Sequence, residues 1–348
     1  MSNRSSVRIT QRDLARLARV SHTTVSLALR NHPSIPVETR ARIAALAQKH
    51  KYRPDPMLAA LNAYRLGRTS ASFQGTLAWV TSFQTPTAWR SMIQAEGYFL
   101  GAAARAQQLG YKLEEFWLSD PQLTARRATE VLRARSIRGL IVAPLPVAHG
   151  DLGLRWNEFS AVALGYSLAR PQLAVVMNHQ FRNMRHLVLR LHRLGYQRIG
   201  FAMPATTDER VDHNYVGGFW VAQRDFEPST ARLTPLLAPT FDEKTFKAWF
   251  RRAHPDAVIT AASSAHTVIR WLGSLGLLVP RDIGVAVASI PFGDHEISGI
   301  DEKVQAVGAM AVDTVVGMIH RNETGAPATP WRILAEGTWF PGRTVRRV

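Results

Sequence analysis

From Thr76 onward, short apolar runs alternate with segments of helical periodicity, and few folds accommodate that alternation. The runs TLAWVTSF (76–83), RGLIVAPL (138–145), AVALGY (161–166), RIGFAM (198–203), DAVITA (256–261) and IGVAVASI (283–290) each suit one buried strand and are too short for a helix. Between them lie amphipathic patterns such as 95–109, 180–194 and 264–275. Buried strands separated by helices form parallel sheets, because a parallel crossover needs a dozen or more residues and is usually helical. Two such sets predict an α/β fold with two doubly wound halves, whose ligands sit beyond the carboxyl ends of the strands.

The first 72 residues are different. They hold 13 Lys+Arg against 3 Asp+Glu, a net +10, whereas the remaining 276 hold 30 against 23, a net +7. Arginine makes up 37 of the 43 basic residues, which fits GC-rich coding but does not explain the scarcity of acids at one end. A basic block of this kind is an electrostatic footprint for phosphates. No apolar run approaches the roughly 18 residues that span a bilayer, and MSNRSSVRIT lacks the apolar core of a signal peptide. With no cysteine, disulfides, thiolate metal sites and thiol nucleophiles are excluded. The expected setting is cytoplasmic, with no membrane partner.

Within the basic block the local signals are specific. Thr10 and Asp13 have capping-box spacing, and Leu14, Leu17 and Ala18 follow as one apolar face. Arg19-Val20 breaks the pattern. Ser21 is a second N-cap, after which Val25, Ala28 and Leu29 repeat the spacing until Asn31-His32-Pro33 ends the helix. A third helix after Pro36 carries Ile43, Leu46 and Ala47 inward. Three short helices around so small a core form either a plain bundle or a helix-turn-helix whose second helix enters the major groove.

The stretch VRITQRDLARLARVSHTTVSLALRNHPSIPVETRARIAALAQKHKYRPDP decides between them. It resembles, without a gap over about 50 residues, the DNA-binding headpiece of the LacI/GalR family of bacterial regulators. The matching features are the V-S-x-x-T-V-S core, the V-x-x-x-T-R opening of the third helix and the closing Y-x-P. The resemblance implies that His22 and Thr23 read bases, and that Thr10, Ser21, Thr24, Ser26, Arg30, Ser34 and Thr39 position phosphates. Two residues depart from the family pattern. Arg19 stands where the tight turn usually has glycine, which forces a left-handed arginine at ~1–2 kcal/mol. Leu27 stands at a third base-reading position where many members use Arg to read a guanine, and leucine donates no hydrogen bond.

RPDPMLAALNAYRLGRTSASFQG then joins this unit to the rest. Pro56 suits a helix start, and Met57, Leu58 and Leu61 share a face of a helix too short to be stable alone. In the family two such hinge helices pair in the minor groove, which implies a wedging role for Leu61 beside Leu58. The alternative is that both leucines pack on the core.

The large region carries the resemblance more loosely, through HLVLRLHRLGYQRIGFAM, GSLGLLVPRDIGVAV and GIDEKVQAVGAMAVDTVVGMI. It implies a two-lobed, periplasmic-binding-protein-like core with crossovers near residues 178, 300 and 326. The expected domains are a headpiece (1–53), a hinge and linker (54–73) and an effector-binding and dimerisation core (74–348). Lobe one would take 74–178 and 301–325, and lobe two 179–300 and 326–348. No heptad tail follows EGTWFPGRT, so nothing there specifies a tetramer.

The cleft departs further from the family than the fold does. ITAASSAH stands where many sugar-binding members carry Asn-Asp, Ser289 where they carry an aspartate, and Tyr215 where they carry Arg, with Arg210 nearby. Candidate lining residues are Thr81, Phe83, Gln84, Asn178, His179, Arg210, Tyr215, Ser263 and Ser289. A saturated sugar is best held by carboxylate and arginine pairs with aromatic faces, and that set is incomplete here, so common hexoses are not expected to bind.

No enzyme signature competes. There is no G-x-G-x-x-G or Walker loop, His186 and His192 lack zinc-helix spacing, and LGYSLA is not a nucleophile elbow. Neither a cofactor nor a metal is implied. An architectural, sequence-tolerant DNA binder would leave the two-lobed core without use, and a small-molecule binder with a vestigial headpiece would not keep its caps and hinge. The reading is a transcriptional regulator, expected to repress, that binds a pseudo-palindromic operator as a homodimer under control of a small molecule.

Overall fold

The computed structural model describes residues 10–29, 34–50, 52, 73–225 and 232–346. The chain divides into two compact units, Met1–Ser70 and Ala71–Val348.

In the first unit, α1 (Gln11–Ala18), α2 (His22–Leu29) and α3 (Val37–Lys49) enclose Leu14, Ala15, Ala18, Val25, Ala28 and Ile43. The capping box forms: the Thr10 hydroxyl accepts from the Asp13 amide at 3.3 Å and the Asp13 carboxylate accepts from the Thr10 amide at 2.9 Å. The Thr10 hydroxyl also donates to that carboxylate at 2.7 Å, and this bond, with the one from the Thr10 amide, holds the carboxyl of Asp13 below its ordinary range. Arg19 ends α1 in the left-handed region, at φ 52° and ψ 46°, which turns the chain for the Ser21 cap of α2. One expectation fails here. Leu17 is 49% exposed, and Ala15 takes the inner position instead. At 3.6 residues per turn, Leu14, Ala18 and Ala15 span an arc of about 100°, and Leu17 falls about 60° beyond its other edge.

The second unit holds two six-stranded sheets. The first runs β13-β7-β5-β3-β1-β2, built from β1 (Gly75–Thr81), β2 (Tyr111–Trp117), β3 (Gly139–Val142), β5 (Ser160–Leu164), β7 (Ala174–Asn178) and β13 (Arg332–Ala335), all parallel. The second runs β14-β12-β11-β10-β8-β9, from β8 (Ile199–Pro204), β9 (Leu236–Ala238), β10 (Ala257–Thr260), β11 (Gly284–Val287), β12 (Ser298–Asp301) and β14 (Thr338–Phe340). Only β14 is antiparallel to its neighbour. A two-stranded ribbon, β4 (Gly150–Asp151) with β6 (Leu168–Arg170), lies beside the first sheet in sequence. Each sheet buries both faces, as parallel sheets must. One face of the first covers Leu77, Trp79, Ile141 and Val176, the other Val80, Leu140, Val142 and Phe159.

The chain passes between lobes three times. It leaves lobe one after Asn178 and returns after Asp301, near the expected positions. The third crossing was expected near residue 326 and falls later, between Ala335 and Thr338. The reason is β13, whose Arg332–Ala335 pair in parallel with Val175–Asn178 and so keep the chain in the first sheet.

Two helices set the geometry at these crossings. α4 (Ala95–Gln108) and α11 (Val304–Arg321) pack backbone against backbone. A Cβ at Gly101 would lie 1.9 Å from the Gln305 carbonyl oxygen, and one at Gly308 would lie 2.0 Å from that of Tyr98. This approach seats the start of α4 directly on the second crossing. Gly308→Ala should therefore lower core stability by about 1–3 kcal/mol despite alanine's higher helix propensity. Gly217→Ala, where the new methyl would meet Phe181 at an ordinary 3.6 Å, should be neutral or stabilising by up to about 1 kcal/mol. Urea midpoints of the two variants decide this, and equal midpoints would show that the helices stand apart.

Candidate functional site

Helix α2 begins with a surface free of acid. Ser21 Oγ accepts from the Thr24 amide at 3.0 Å and shares a 2.8 Å hydrogen bond with the Thr24 hydroxyl, so the cap is closed by side chains on its own turn. His22 and Thr23 lie just past it, both exposed. Helix α2 has no acidic residue in its first turn, which leaves the positive end of its dipole unanswered. Leu27 is half-buried, while Val25 and Ala28 face the core. Thr10, Ser21 and Ser34 are exposed and Thr24, Ser26 and Thr39 half-buried. Arg30, Leu58 and Leu61 lie outside the described residues.

The second site is the seam between the lobes, where a buried carboxyl gathers the three crossings. Glu302, just past β12, is 3% exposed. Its backbone carbonyl accepts from Asn178 Nδ2 at 2.5 Å, at the first crossing. Asn178 Oδ1 in turn accepts from the Tyr98 hydroxyl at 2.5 Å. Glu302 Oε2 accepts from Ser289 Oγ at 2.8 Å, and Gln94 Nε2 donates to that same Oγ and to the Ile290 carbonyl, each at 2.5 Å. At the third crossing Asn183 Oδ1 accepts from the Gly337 amide at 2.9 Å. Gln94 belongs to lobe one and Ser289 and Ile290 to lobe two, so its two bonds tie the lobes together, while Tyr98 holds Asn178 at the end of lobe one's β7.

Among the described residues no cation answers Glu302. Burial pushes its pKa up to about 7, and the Ser289 hydroxyl and the neighbouring Asn183 amide pull it back only in part. Glu302 Oε1 and Asn183 Nδ2 have no well-aligned partner among the described residues. Tyr98 and Tyr215 are buried within the field of Glu302, and burial raises both phenols well above their ordinary value.

Nearer the rim, Asp208 is fully buried, with Oδ2 2.9 Å from His213 Nδ1 and Oδ1 accepting from the Val216 amide at 3.0 Å. Arg210 caps the short helix α7 (Ala205–Glu209), and its Nη2 reaches Met92 Sδ of lobe one at 3.6 Å. The segment bearing Met92 is pinned to lobe one by the buried Trp89, whose Nε1 donates to Glu115 at 3.0 Å, and by Arg90. Arg90 grips both oxygens of Glu115, at 2.6 and 3.0 Å, and holds that carboxyl below its ordinary range.

Of the nine expected cleft residues, Asn178, Tyr215 and Ser289 meet around Glu302, and Arg210 faces the opposite lobe. Thr81 and Phe83 do not line the cleft as expected: they are 1% and 8% exposed, and Phe83 packs with Trp79 and Trp89 in the core of lobe one. Gln84 and Ser263 are exposed, and the His179 amide binds the Ala335 carbonyl. Gln94, Tyr98, Asn183 and Glu302 were not foreseen. The available signal was strand alternation continued past Ile300, which turns Asp301 outward to Lys303 and Glu302 inward. Ser289 thus lies beside a buried carboxyl carried just past the next strand. A separate cavity of about 330 Å³ opens beyond β1–β3, beside Ser82, Leu118, Leu145 and Asp151, and shares no residue with this cluster. Among the described residues no group of three His, Asp or Glu is placed to hold a metal, and no helix is long and apolar enough to cross a membrane.

Residues 10–55 match the family model of bacterial regulatory proteins, lacI family, and residues 188–345 that of a periplasmic binding protein-like domain. Over 47 residues the chain is 49% identical to the probable HTH-type transcriptional repressor ExuR of Bacillus subtilis (strain 168), a stretch that is 14% of this chain and 14% of that protein. Among solved structures it resembles a complex of the transcriptional regulator CelR with cellobiose, at TM-score 0.59 and 17% identity over 97% of this chain and 100% of that one. It also resembles the lac repressor dimer bound to operator and the anti-inducer ONPF, at TM-score 0.56 and 18% identity over 98% and 100%. At such identity the likeness is one of fold.

Glu302 makes stability depend on pH. Its carboxyl titrates at 4.5 when unfolded and at about 7 when folded. Below 4.5 both states keep the proton. Between the two values the unfolded chain loses its proton first, so stability falls as pH rises, and above 7 the loss is complete at about 3 kcal/mol. Glu302→Gln keeps the shape and cannot ionise, so it should flatten this fall and be the more stable protein at pH 8. Denaturant titrations of both proteins at pH 5 and pH 8 test it, and parallel losses would show that another group is responsible.

Proposed function

Because the chain belongs to the lacI family of bacterial regulatory proteins, we propose that it represses transcription as a homodimer that reads a pseudo-palindromic operator and answers to a small molecule held between its lobes. The observation that carries this reading is the exposed, acid-free start of α2, with His22 and Thr23 just beyond a closed Ser21 cap. A helix so presented enters the major groove by its N-terminal end, where side chains reach base edges. His22 and Thr23 make those contacts and Leu27 adds an apolar one. Thr10, Ser21, Thr24, Ser26, Arg30, Ser34 and Thr39 fix the register on phosphates. The net +10 of the first 72 residues supplies the attraction that does not depend on sequence.

One headpiece offers few contacts, and a pair of hinges at 54–73 needs two copies, with Leu58 and Leu61 set for the minor groove. The fold shared with a repressor dimer on its operator supports this arrangement. The effector acts by favouring one arrangement of the lobes, a coupling usually worth 1–3 kcal/mol. Nothing in this scheme requires catalysis, a cofactor or a membrane, and a protein that works on an operator works in the cytoplasm.

The test is a selection of DNA sites bound by the full-length wild type and by Leu27→Arg at one salt concentration. Leu27 suits a thymine methyl or no base, so the wild type should show weak or T·A preference opposite it. The variant should gain a guanine preference there of about 1–3 kcal/mol. A wild type that already demands guanine at that step, unchanged by the substitution, would mean that α2 docks differently. Sedimentation on the selected site should give two chains per duplex, with half-sites about one helical turn apart. One chain per duplex would overturn the dimer.

A further inference from the structure

Arg210 carries a positive charge that nothing in the described fold answers. It stands just past the carboxyl end of β8, where doubly wound sheets bind ligands. The residue is half-buried, and burial alone depresses its pKa, with no acid or second cation acting on it. Its contact across the seam is with the thioether of Met92 at 3.6 Å, a weak acceptor. The nearest acid in sequence with a buried side chain, Asp208, is turned away and fully engaged by His213 and the Val216 amide. Several other arginines of the core are paired with acids: Arg90 with Glu115, Arg105 with Asp313, Arg185 with Asp225.

Leaving a desolvated guanidinium opposite a thioether is costly, and an oxyanion supplied from outside would remove that cost. A guanidinium presents a fork of donors that fits a carboxylate in two parallel hydrogen bonds. With no second cation acting at this point, a monoanion balances the charge, whereas a phosphate dianion leaves one unit over. Tyr215, which stands where the sequence pattern leads one to expect an arginine, supplies no positive charge of its own.

Resting on the reading of the seam as an effector site, we propose that Arg210 is its anion receptor and that the effector is a small carboxylate, whose binding draws Arg210 off Met92. The ligand thereby exchanges a contact between lobes for a contact with itself, which gives it a different affinity for the two lobe arrangements.

Thermal unfolding of the full-length protein at pH 7.5 with matched compounds tests the assignment. Gluconate, lactate and succinate are set against sorbitol, propane-1,2-diol and butane-1,4-diol, with glycerol 3-phosphate as the phosphate arm, on wild type, Arg210→Met and Arg210→Lys. At least one carboxylate should raise the melting temperature while its neutral counterpart does not. Arg210→Met should melt at or above the wild type's temperature without ligand and lose that response, with affinity down roughly tenfold or more. Arg210→Lys, which keeps the charge but not the fork, should respond in part. The assignment is overturned if no carboxylate acts, if neutral compounds or the phosphate act instead, or if Arg210→Met keeps the response. Operator binding measured with the same compounds separates the two readings. A neutral compound that alters both melting and operator affinity leaves the regulatory reading standing and removes this one. A carboxylate that acts through Arg210 yet leaves operator affinity unchanged does the reverse.

Discussion

A carboxyl taken out of water without a cation beside it holds only if its surroundings supply hydrogen bonds or let it keep its proton. Glu302 does both, and in doing so it joins the three chain crossings. Its carbonyl takes the amide of Asn178 from the first crossing, its carboxyl takes the hydroxyl of Ser289, and Asn183 beside it receives the Gly337 amide of the third. Two lobes connected by three strands of chain would otherwise rotate against each other with little resistance. Because the cluster is polar and incompletely satisfied, it is directional and can be rearranged, unlike an apolar contact of the same size. Its position follows from the close packing of Gly101 and Gly308, which brings Tyr98 and Gln94 within reach.

The headpiece depends on local chemistry. Its core is small, so its three helices rely on their ends: the Thr10–Asp13 box, the Ser21 cap and the left-handed Arg19 between them. Arg19 accepts a strained conformation that glycine would adopt freely, but the same substitution would remove a positive charge from the basic headpiece. The charge offers a physical reason for tolerating the strain.

What was legible in the sequence divides along the range of the interactions concerned. Caps, turns and buried central strands are set by residues a few positions apart, and RGLIVAPL, RIGFAM and DAVITA all became strands. Edges were harder to read. β2 reads YKLEEFW and β13 reads RILA with alternate residues exposed, so neither shows the continuous apolar run of a central strand, and β13 displaced the third crossing. At the ends of strands, sequence gives a position and leaves the direction of the side chain undetermined. Asn178 and Ser289 turned to the seam while Thr81 and Phe83 turned into a core. Glu302 was hidden for the same reason in reverse, since an acid beside another acid reads as solvated until the fold around it closes. Leu17 is exposed because spacing by three and four leaves the edge of an arc undecided within a single turn.

The contacts across the seam concentrate on one short segment of lobe one. Met92 meets Arg210, Gln94 donates to Ser289 and Ile290, and Gly97 lies close to Phe292, while Tyr98 of the same helix donates to Asn178 at the first crossing. Behind it, Trp89 and Arg90 fix the preceding turn to Glu115, and the Gly101–Gly308 contact fixes the helix that follows. The segment is therefore fixed to lobe one and touches lobe two through polar or adaptable groups, the Gln94 amide and the Met92 thioether. Packed interfaces of this kind move between discrete arrangements and do not deform smoothly. A molecule entering the seam need not push whole domains apart. A molecule that competed for Gln94, Ser289 or Arg210 would change which arrangement of the clasp is favoured, and the rigid mounting would carry that choice to the lobe as a whole.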